Sequence, residues 1–210
     1  MPGLDLYIAD NSTELNGALE WLEKETNLRT NHARMLSGPI VGRYLTSMAE
    51  MLSSSNILEI GTFTGYSAIC LALGLKPGGH MDAIEINDEL ESLILEGFSK
   101  AGVGDRITMH FGDAKEILPK LSKTYDLVYI DGNKREYCAY YDLVFPLVRE
   151  GGYIIADNVL WDGKVYAEKP SGDAQTQEII RFNKKIKEDR RVENYILPLR
   201  DGLNIIKKLG

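Results

Sequence analysis

Apolar residues along this chain follow two alternating patterns. Short, nearly continuous apolar runs predict buried strands, and longer segments between them carry apolar residues at the three- and four-residue spacing of a helix. The predicted strands cover residues 57–60, 81–86, 107–110, 125–130, 153–156, 192–199 and 203–207. Because segments of ordinary crossover length separate the first five, this pattern is typical of a parallel sheet with helices on both faces.

The helical segments complete the pattern. They are predicted at residues 14–25, 40–52, 66–73, 89–100, 114–118, 137–148 and 176–189. Residues 4–13 predict a loosely structured arm with Ser12 or Thr13 as the first N-cap, and residues 27–39 a connecting loop able to close over a ligand. RDG at positions 200–202 separates the last two apolar runs, which predicts an antiparallel hairpin.

Composition narrows the class of protein. A length of 210 residues suits one domain with a full core. The formal net charge of −7 disfavours a large nucleic-acid footprint, although a local basic patch is compatible with it. Cys70 and Cys138 stand apart from any Cys/His cluster, which argues against a zinc site or a disulfide framework. Without a membrane-length apolar run or a leader-like start, the cytoplasm is the expected location.

A glycine turn follows the first predicted strand. Gly61 and Gly65 stand four residues apart, with Glu59 two residues before the first glycine, and a helix follows. A dinucleotide fingerprint needs a glycine where Phe63 stands, and a P-loop needs Gly-Lys-Ser/Thr, so a pyrophosphate is not the expected ligand. The glycines suit a close approach of backbone to some other ligand, or only the joining of strand to helix.

Two further acids stand at strand ends. Glu85, near the end of the second strand, is placed to accept hydrogen bonds from both ribose hydroxyls of a nucleoside, or else to face solvent. Asp113 and Ala114 open a helix after the third strand. The carboxylate and the free N–H groups there suit an adenine ring, and an ordinary helix cap is the alternative.

Asp131 ends the fourth strand, and Asp157 and Asn158 end the fifth. Successive parallel strands joined by one right-handed crossover are usually neighbours, so these side chains should project from one rim. Carboxylate and amide oxygens suit a hard divalent cation such as Mg²⁺. The alternative is an ordinary turn and loop at each strand end.

Four separated motifs resemble known families. The first glycine turn is similar to the first motif of class I methyltransferases, which bind S-adenosylmethionine (SAM). IDGNK at positions 130–134 followed by Tyr137, and ADNVLWDG at positions 156–163, resemble the cation-dependent O-methyltransferases, which include catechol and caffeoyl-CoA O-methyltransferases. The resemblance covers residues 37 to about 207. Two departures are PIVG at 39–42, which lacks the usual acidic pattern, and Tyr195, where the catechol enzyme has an acid.

The resemblance implies roles for particular residues. Asp131, Asp157 and Asn158 hold the metal, Lys134 is the general base, and Asp131 also serves catalysis. The implied SAM contacts are Ser37, Glu59, Gly61, Ser67, Glu85, Asp113, Ala114 and Asp131. The metal is Mg²⁺, with Ca²⁺ or Mn²⁺ as alternatives, and a homodimer is expected.

We therefore predict one methyltransferase domain over residues 1–210, with an N-terminal arm and helix (1–36) and a Rossmann-like core (37–210). Its fold is α/β, a doubly wound, mostly parallel seven-stranded sheet with an antiparallel C-terminal hairpin. The reaction moves a methyl group from SAM to a hydroxyl of a small aromatic vicinal diol, with residues 159–175 as a substrate-side lid. One rival is a tRNA 5-hydroxyuridine acceptor, favoured by basic residues in 176–189 such as Arg181. The other is a SAM-binding module without catalysis.

Overall fold

The computed structural model describes residues 7–8, 10–13, 16–169 and 171–210. Glu14 and Leu15 at the predicted start of the first helix lie outside the described residues, as do Pro170 of the predicted lid and most of residues 4–9.

Part of the predicted arm is helical. Tyr7, Ile8 and Asp10 have helical backbone. Asn11 and Ser12 hydrogen-bond through their side chains to the carbonyl oxygens of Tyr7 and Ile8, at 2.8 and 2.6 Å. These bonds satisfy acceptors at the end of the turn, so the prediction of a loose arm is wrong at these residues.

Seven strands form one mixed sheet, as predicted. They are β1 (Asn56–Ile60), β2 (His80–Glu85), β3 (Ile107–Phe111), β4 (Tyr125–Ile130), β5 (Val148–Ala156), β6 (Val192–Leu197) and β7 (Leu203–Lys208). The order is β3-β2-β1-β4-β5-β7-β6. Strands β1 to β5 are parallel, and β7 is antiparallel to both β5 and β6. The predicted fold class is confirmed, with the last hairpin inserted so that β7 is the inner strand.

Helices cover both faces of this sheet. They are α1 (Gly17–Arg29), α2 (Gly38–Met51), α3 (Tyr66–Leu73), α4 (Glu91–Ala101), α5 (Ala114–Ile117), α6 (Tyr137–Val144) and α7 (Ala174–Glu188). The first four pack in one apolar cluster and the last three in another, and alternate strand residues such as Ile57 and Leu58 enter opposite clusters. No helix among the described residues is long and apolar enough to cross a bilayer.

Some boundaries differ from the predicted ones. The N-cap of α1 is Asn16, whose side chain accepts a hydrogen bond from the Ala18 N–H at 2.9 Å, and not Ser12 or Thr13. Helix α1 continues to Arg29, four residues past the predicted end, and the Arg29 guanidinium pairs with Glu25 at 2.7 Å in the added turn. Helix α6 ends at Val144 and not near 148, because Pro146 lies in the turn that follows.

The turn between β1 and α3 requires its glycines for packing. Gly61 has φ of +91°, and a Cβ there would lie 2.5 Å from the Asp131 carbonyl oxygen. Gly65 has φ of +99°, and its Cβ would lie 2.8 Å from the Phe98 ring. Both positions therefore exclude a side chain before any ligand is considered. The end of β4, which carries Asp131, rests directly on this turn.

Candidate active site

The carboxyl ends of five neighbouring parallel strands form one rim. In the order β3, β2, β1, β4, β5, this rim carries the predicted nucleoside residues at one end and the predicted metal residues at the other. Backbone N–H groups at the rim hydrogen-bond across strands, for example from Asp157 to the Ile130 carbonyl at 3.0 Å. The neighbouring positions of β4 and β5, predicted from the crossover rule, are confirmed.

A cavity of about 1320 Å³ opens above β1, β4 and β5. Its lining includes Ser37, Gly61, Tyr66, Asp131, Lys134, Asp157, Asn158, Trp161, Arg200 and Asp201. Of the other residues implied to contact SAM, Glu59 and Ser67 are buried and close in sequence to lining residues. Glu59 lies in β1, two residues before Gly61, and Ser67 follows Tyr66 in the first turn of α3. Glu85, Asp113 and Ala114 lie further along the rim, at the ends of β2 and β3.

Lys134 is buried at the cavity wall, with 8% of its surface exposed. Its Nζ donates to Asp131 Oδ1 at 2.5 Å and to the Tyr137 hydroxyl at 2.8 Å. The Tyr137 hydroxyl in turn donates to the carbonyl oxygen of Asp157 at 3.0 Å. The lysine is therefore not a solvated surface residue, and its amine is fixed between the ends of β4 and β5.

Asp157 is a buried carboxylate with two donors. Its Oδ2 accepts from the Tyr129 hydroxyl at 2.5 Å, and its Oδ1 accepts from the backbone N–H of Asn158 at 2.6 Å. Burial and then the neighbouring charge of Asp131 raise the pKa of Asp157 to about 6, against the hydrogen bond from Tyr129. The site brings two acids together at an energetic cost.

The donor set fits a hard divalent cation. Among the described residues, no three His, Cys, Asp or Glu side chains are grouped to hold a metal ion. The predicted metal ligands are two carboxylates, Asp131 and Asp157, and the amide of Asn158. The amide supplies the third ligand through its oxygen. Asn158 has φ of +57°, a left-handed conformation that asparagine tolerates well. Two mutually repelling carboxylates and an amide oxygen suit Mg²⁺, Mn²⁺ or Ca²⁺ and not zinc.

Glu59 is fully buried in β1, two residues before the glycine turn at Gly61. Its Oε2 accepts from the Thr62 hydroxyl at 2.8 Å, and its Oε1 has no hydrogen-bond partner among the residues that the structure describes. Burial raises the pKa of Glu59 to about 8, and the hydroxyl groups of Ser67 and Thr62 only partly offset this. A carboxyl group in this environment holds its proton near neutral pH.

Glu85 is fixed by backbone donors at the end of β2. Its Oε2 accepts from the Phe63 N–H at 2.6 Å and its Oε1 from the Asn87 N–H at 2.9 Å. Only 8% of its surface is exposed, so the alternative of a solvent-facing acid is wrong. Ile86, the next residue, is 73% exposed and forms an apolar surface at the rim that the sequence patterns did not single out.

Asp113 caps its helix. Its Oδ1 accepts from the backbone N–H of Lys115 at 2.8 Å, at the start of α5. This capping bond confirms the structural role weighed for Asp113. Contact with an adenine ring, for Asp113 and for Ala114, stays a prediction.

Sequence patterns assigned no role to several residues at or next to the cavity. Tyr129 stands in an apolar strand and Tyr137 was only part of a motif, yet the hydroxyls of both contact Asp157. Within the described part of the chain, the buried indole N–H of Trp161 has no hydrogen-bond partner. Trp161 has φ of +48° and Asp162 has φ of +53°. Left-handed residues of this kind cluster at functional sites and would have no signature in a sequence pattern.

The basic residues of α7 are largely paired with acids. Lys185 contacts both carboxylate oxygens of Asp142 at 2.6 Å, and Lys184 lies 3.9 Å from Glu188. Arg181 pairs with Glu178. This face opens on a separate groove of about 460 Å³, away from the rim. The pairing weakens the case for α7 as a nucleic-acid surface.

Comparisons with known proteins agree with this architecture. A family model described as O-methyltransferase matches residues 9–209. Caffeoyl-CoA O-methyltransferase 1 of Eucalyptus globulus is 34% identical over 182 residues, covering 80% of this chain and 73% of that protein. Probable caffeoyl-CoA O-methyltransferase 2 of Dictyostelium discoideum is 31% identical over 209 residues, covering 97% of this chain and 90% of that protein.

Solved structures are similar over nearly the whole chain. The O-methyltransferase TomG from Streptomyces achromogenes, solved with SAM, superposes with a TM-score of 0.92 at 27% identity, covering 99% of this chain and 96% of that one. An O-methyltransferase from Bacillus cereus, solved with S-adenosylhomocysteine (SAH), gives a TM-score of 0.88 at 28% identity, covering 98% and 97%.

Proposed function

We propose a divalent-metal-dependent reaction on a small aromatic vicinal diol for this chain, which belongs to the SAM-dependent O-methyltransferases of caffeoyl-CoA O-methyltransferase type. One observation carries the proposal. Asp131 and Asp157 are held together at the cavity wall, and even with Lys134 beside them burial and the Asp131 charge raise the pKa of Asp157, so a divalent cation would stabilise the pair. The relatives named for caffeoyl-CoA support a phenolic acceptor.

Asp131, Asp157 and Asn158 are the residues that would hold the cation. When bound, a divalent cation supplies charge neutralisation and lowers the pKa of a coordinated hydroxyl. Two of these ligands are held by hydrogen bonds from the protein itself. The Tyr129 hydroxyl donates to Asp157, and the Lys134 amine donates to Asp131. Such fixed ligands favour one orientation of the acceptor.

Lys134 is the general base in this proposal. In its neutral form, its Nζ accepts the proton of the acceptor hydroxyl as the methyl group passes from the sulfonium of SAM to that oxygen. Tyr137 and Asp131 hold the amine in place. Because Lys134 is buried and makes two short contacts, its position is better defined than that of a surface lysine.

The SAM-binding surface is proposed to follow the rim. Ser37, Gly61, Ser67 and Asp131 would surround the methionine part, and Glu85 would accept hydrogen bonds from the ribose hydroxyls. Asp113, Ala114 and the exposed Ile86 would border the adenine. Glu59 would support this surface from below, with one of its oxygens free to receive a donor.

Removing the metal tests the proposal. Transfer of labelled methyl from SAM to caffeic acid or catechol is expected to fall at least about a hundredfold when EDTA replaces Mg²⁺, because the acceptor oxygen loses its activation. Total tRNA serves as a third acceptor. Undiminished transfer in EDTA would refute the metal role, and transfer to tRNA alone would refute the small-diol acceptor.

Replacing Lys134 with methionine should lower kcat for caffeic acid by about a hundredfold, the usual size of a lost general base. The matched control is Lys185→Met. Lys185 also pairs with an aspartate and lies over a tyrosine ring, at 5.8 Å compared with 5.1 Å for Lys134, but far from the cavity. Equal activities for the two variants would remove Lys134 from the mechanism.

The rival acceptor, a tRNA 5-hydroxyuridine, receives less support from the ion-paired state of α7. The rival of a SAM-binding module without catalysis does not account for the paired acids and the buried lysine. The homodimer, the cytoplasmic location, the lid role of residues 159–175 and the single domain over residues 1–210 stay predictions.

A further inference from the structure

The turn between β6 and β7 contacts two walls of the cavity. Its residues are Arg200, Asp201 and Gly202. Leu36 and Ser37 form an edge of the cavity that we call the lip. They precede the turn by more than 160 positions, yet Arg200 and Asp201 line the same cavity as Ser37. We name the turn the 200–202 turn. From its sequence, we predict only a hairpin. Its contacts are with loops that carry implied SAM and metal residues.

Arg200 fixes the cofactor side. Its Nη1 donates to the carbonyl oxygen of Leu36 at 2.7 Å and also to that of Ser37. A charged donor shared by two carbonyls is stronger than a neutral one. Burial raises the pKa of the Tyr66 phenol, and the charge of Arg200 offsets only part of this rise. Arg200 therefore holds the lip through its bonds to the two carbonyl groups.

Gly38 makes room for this contact. It has φ of +75°, and a Cβ there would lie 3.1 Å from Arg200 Nη1. Arg200 itself has φ of +49°. The lip and the turn thus fit together through two left-handed residues, one on each side. Glycine adopts this conformation freely, whereas Arg200 keeps it only where surrounding contacts determine it.

The other two residues of the turn fix the acceptor side. Asp201 Oδ1 accepts from the Asp162 N–H at 2.6 Å, and its carbonyl accepts from the Leu160 N–H at 2.9 Å. The Gly202 carbonyl accepts from the Val159 N–H at 3.0 Å. The loop that directly follows Asp157 and Asn158 is therefore held by three hydrogen bonds to this turn.

We propose that Arg200 is a positioning residue for SAM, through the carbonyl groups of Leu36 and Ser37, and that Asp201 is a positioning residue for the acceptor, through the backbone of the loop after Asn158. This inference rests on the proposed function, in which Ser37 contacts SAM and Asn158 lies on the acceptor side. One turn sets the distance between the two reactants, which is the quantity that methyl transfer depends on.

SAH binding measured by calorimetry tests the cofactor half without needing metal or acceptor. Arg200→Asn suits the left-handed backbone and removes the donor, so its SAH Kd should rise about tenfold. Gly38→Ala should raise it similarly by displacing Arg200. The double variant should show less than the summed effect, because both changes break one contact. Arg190→Asn, exposed and remote from the cavity, should bind SAH like the unmodified protein.

Asp201→Ala tests the acceptor half. It should raise the KM for caffeic acid about tenfold while the SAH Kd changes less than about twofold, since the Asp201 side chain accepts from Asp162 in the loop after Asn158, whereas Arg200 holds the lip. Unchanged SAH binding in Arg200→Asn overturns the proposal. The proposal is also overturned if each of the variants Arg200→Asn and Asp201→Ala weakens SAH binding and acceptor binding to the same degree. A turn with only a structural role would give that result. If SAH binding responds as expected but transfer proves metal-independent, the proposed metal role fails and the positioning role stands.

Discussion

Replacing Asp157 with asparagine is expected to abolish methyl transfer and, at the same time, to stabilise the metal-free protein. The activity should fall about a thousandfold or more, because an amide is a far weaker ligand for a hard cation than a carboxylate. Stability should rise because Asp157 is only 5% exposed and its charge is repelled by that of Asp131. Asparagine keeps an acceptor for the Tyr129 hydroxyl but loses the acceptor for the Asn158 N–H, so the gain is smaller than the loss of charge repulsion alone would give.

The gain should be about 1–2 kcal/mol, which for a chain of this length shifts Tm by roughly 2–4 °C per kcal/mol. Thermal unfolding in EDTA and initial rates with Mg²⁺ measure the two effects. In many enzymes, residues needed for activity lower the stability of the folded protein, as we expect for the buried Asp157 carboxylate. Full activity in the Asp157→Asn variant would show that this carboxylate holds no catalytic cation.

Asp82 provides a matched control with the opposite sign. It is also buried and accepts from a tyrosine hydroxyl, that of Tyr125 at 3.0 Å. Burial alone would raise the pKa of Asp82, but hydrogen bonds from His110, Lys123 and Tyr125 outweigh burial and lower it. Asp82→Asn should therefore destabilise the protein and leave the activity near normal. If both variants destabilise, repulsion from Asp131 is not the dominant effect at Asp157.

The architecture was predictable because it depends on local signals. Apolar runs that alternate with amphipathic segments indicate a parallel α/β sheet, and the crossover rule correctly placed Asp131 and Asp157 on adjacent strands. The outermost strand order was less accessible, since nothing in the last two apolar runs states which of them pairs with β5. Which of the two strands pairs with β5 depends on how well each is buried beside β5, and this is a property of the assembled sheet.

The candidate site was only partly predictable, because burial is a property of the assembled fold. Lys134 stands in a polar stretch that allows a solvated lysine, and only the Tyr137 and Asp131 contacts show that it is buried. Gly61 suggested a ligand, whereas its first constraint is the Asp131 backbone 2.5 Å away. Arg200 contacts residues 163 and 164 positions earlier, a pairing that spacing in the sequence cannot indicate.

Stability should fall as the pH rises from about 4.5 to about 8, and Glu59 should account for much of this slope. The pKa of Glu59 rises from its ordinary 4.5 to about 8 in the folded protein, with burial as the largest cause. Between these two values the folded protein holds a proton that the unfolded chain has lost. Unfolding then releases a proton, so the free energy of unfolding decreases with rising pH in this window.

The Glu59→Gln variant isolates this effect. Glutamine keeps an acceptor for the Thr62 hydroxyl and carries no charge to bury. The variant should match the unmodified protein near pH 4.5 and exceed its unfolding free energy by roughly 2–5 kcal/mol at pH 8, following the size of the pKa difference. Denaturant titrations at pH 4.5, 6 and 8 measure it, and parallel pH profiles for the two proteins would contradict it. Because Glu59 is also a proposed SAM contact, the same variant should bind SAH more weakly, and this result would give the cost of burying the acid a functional reason.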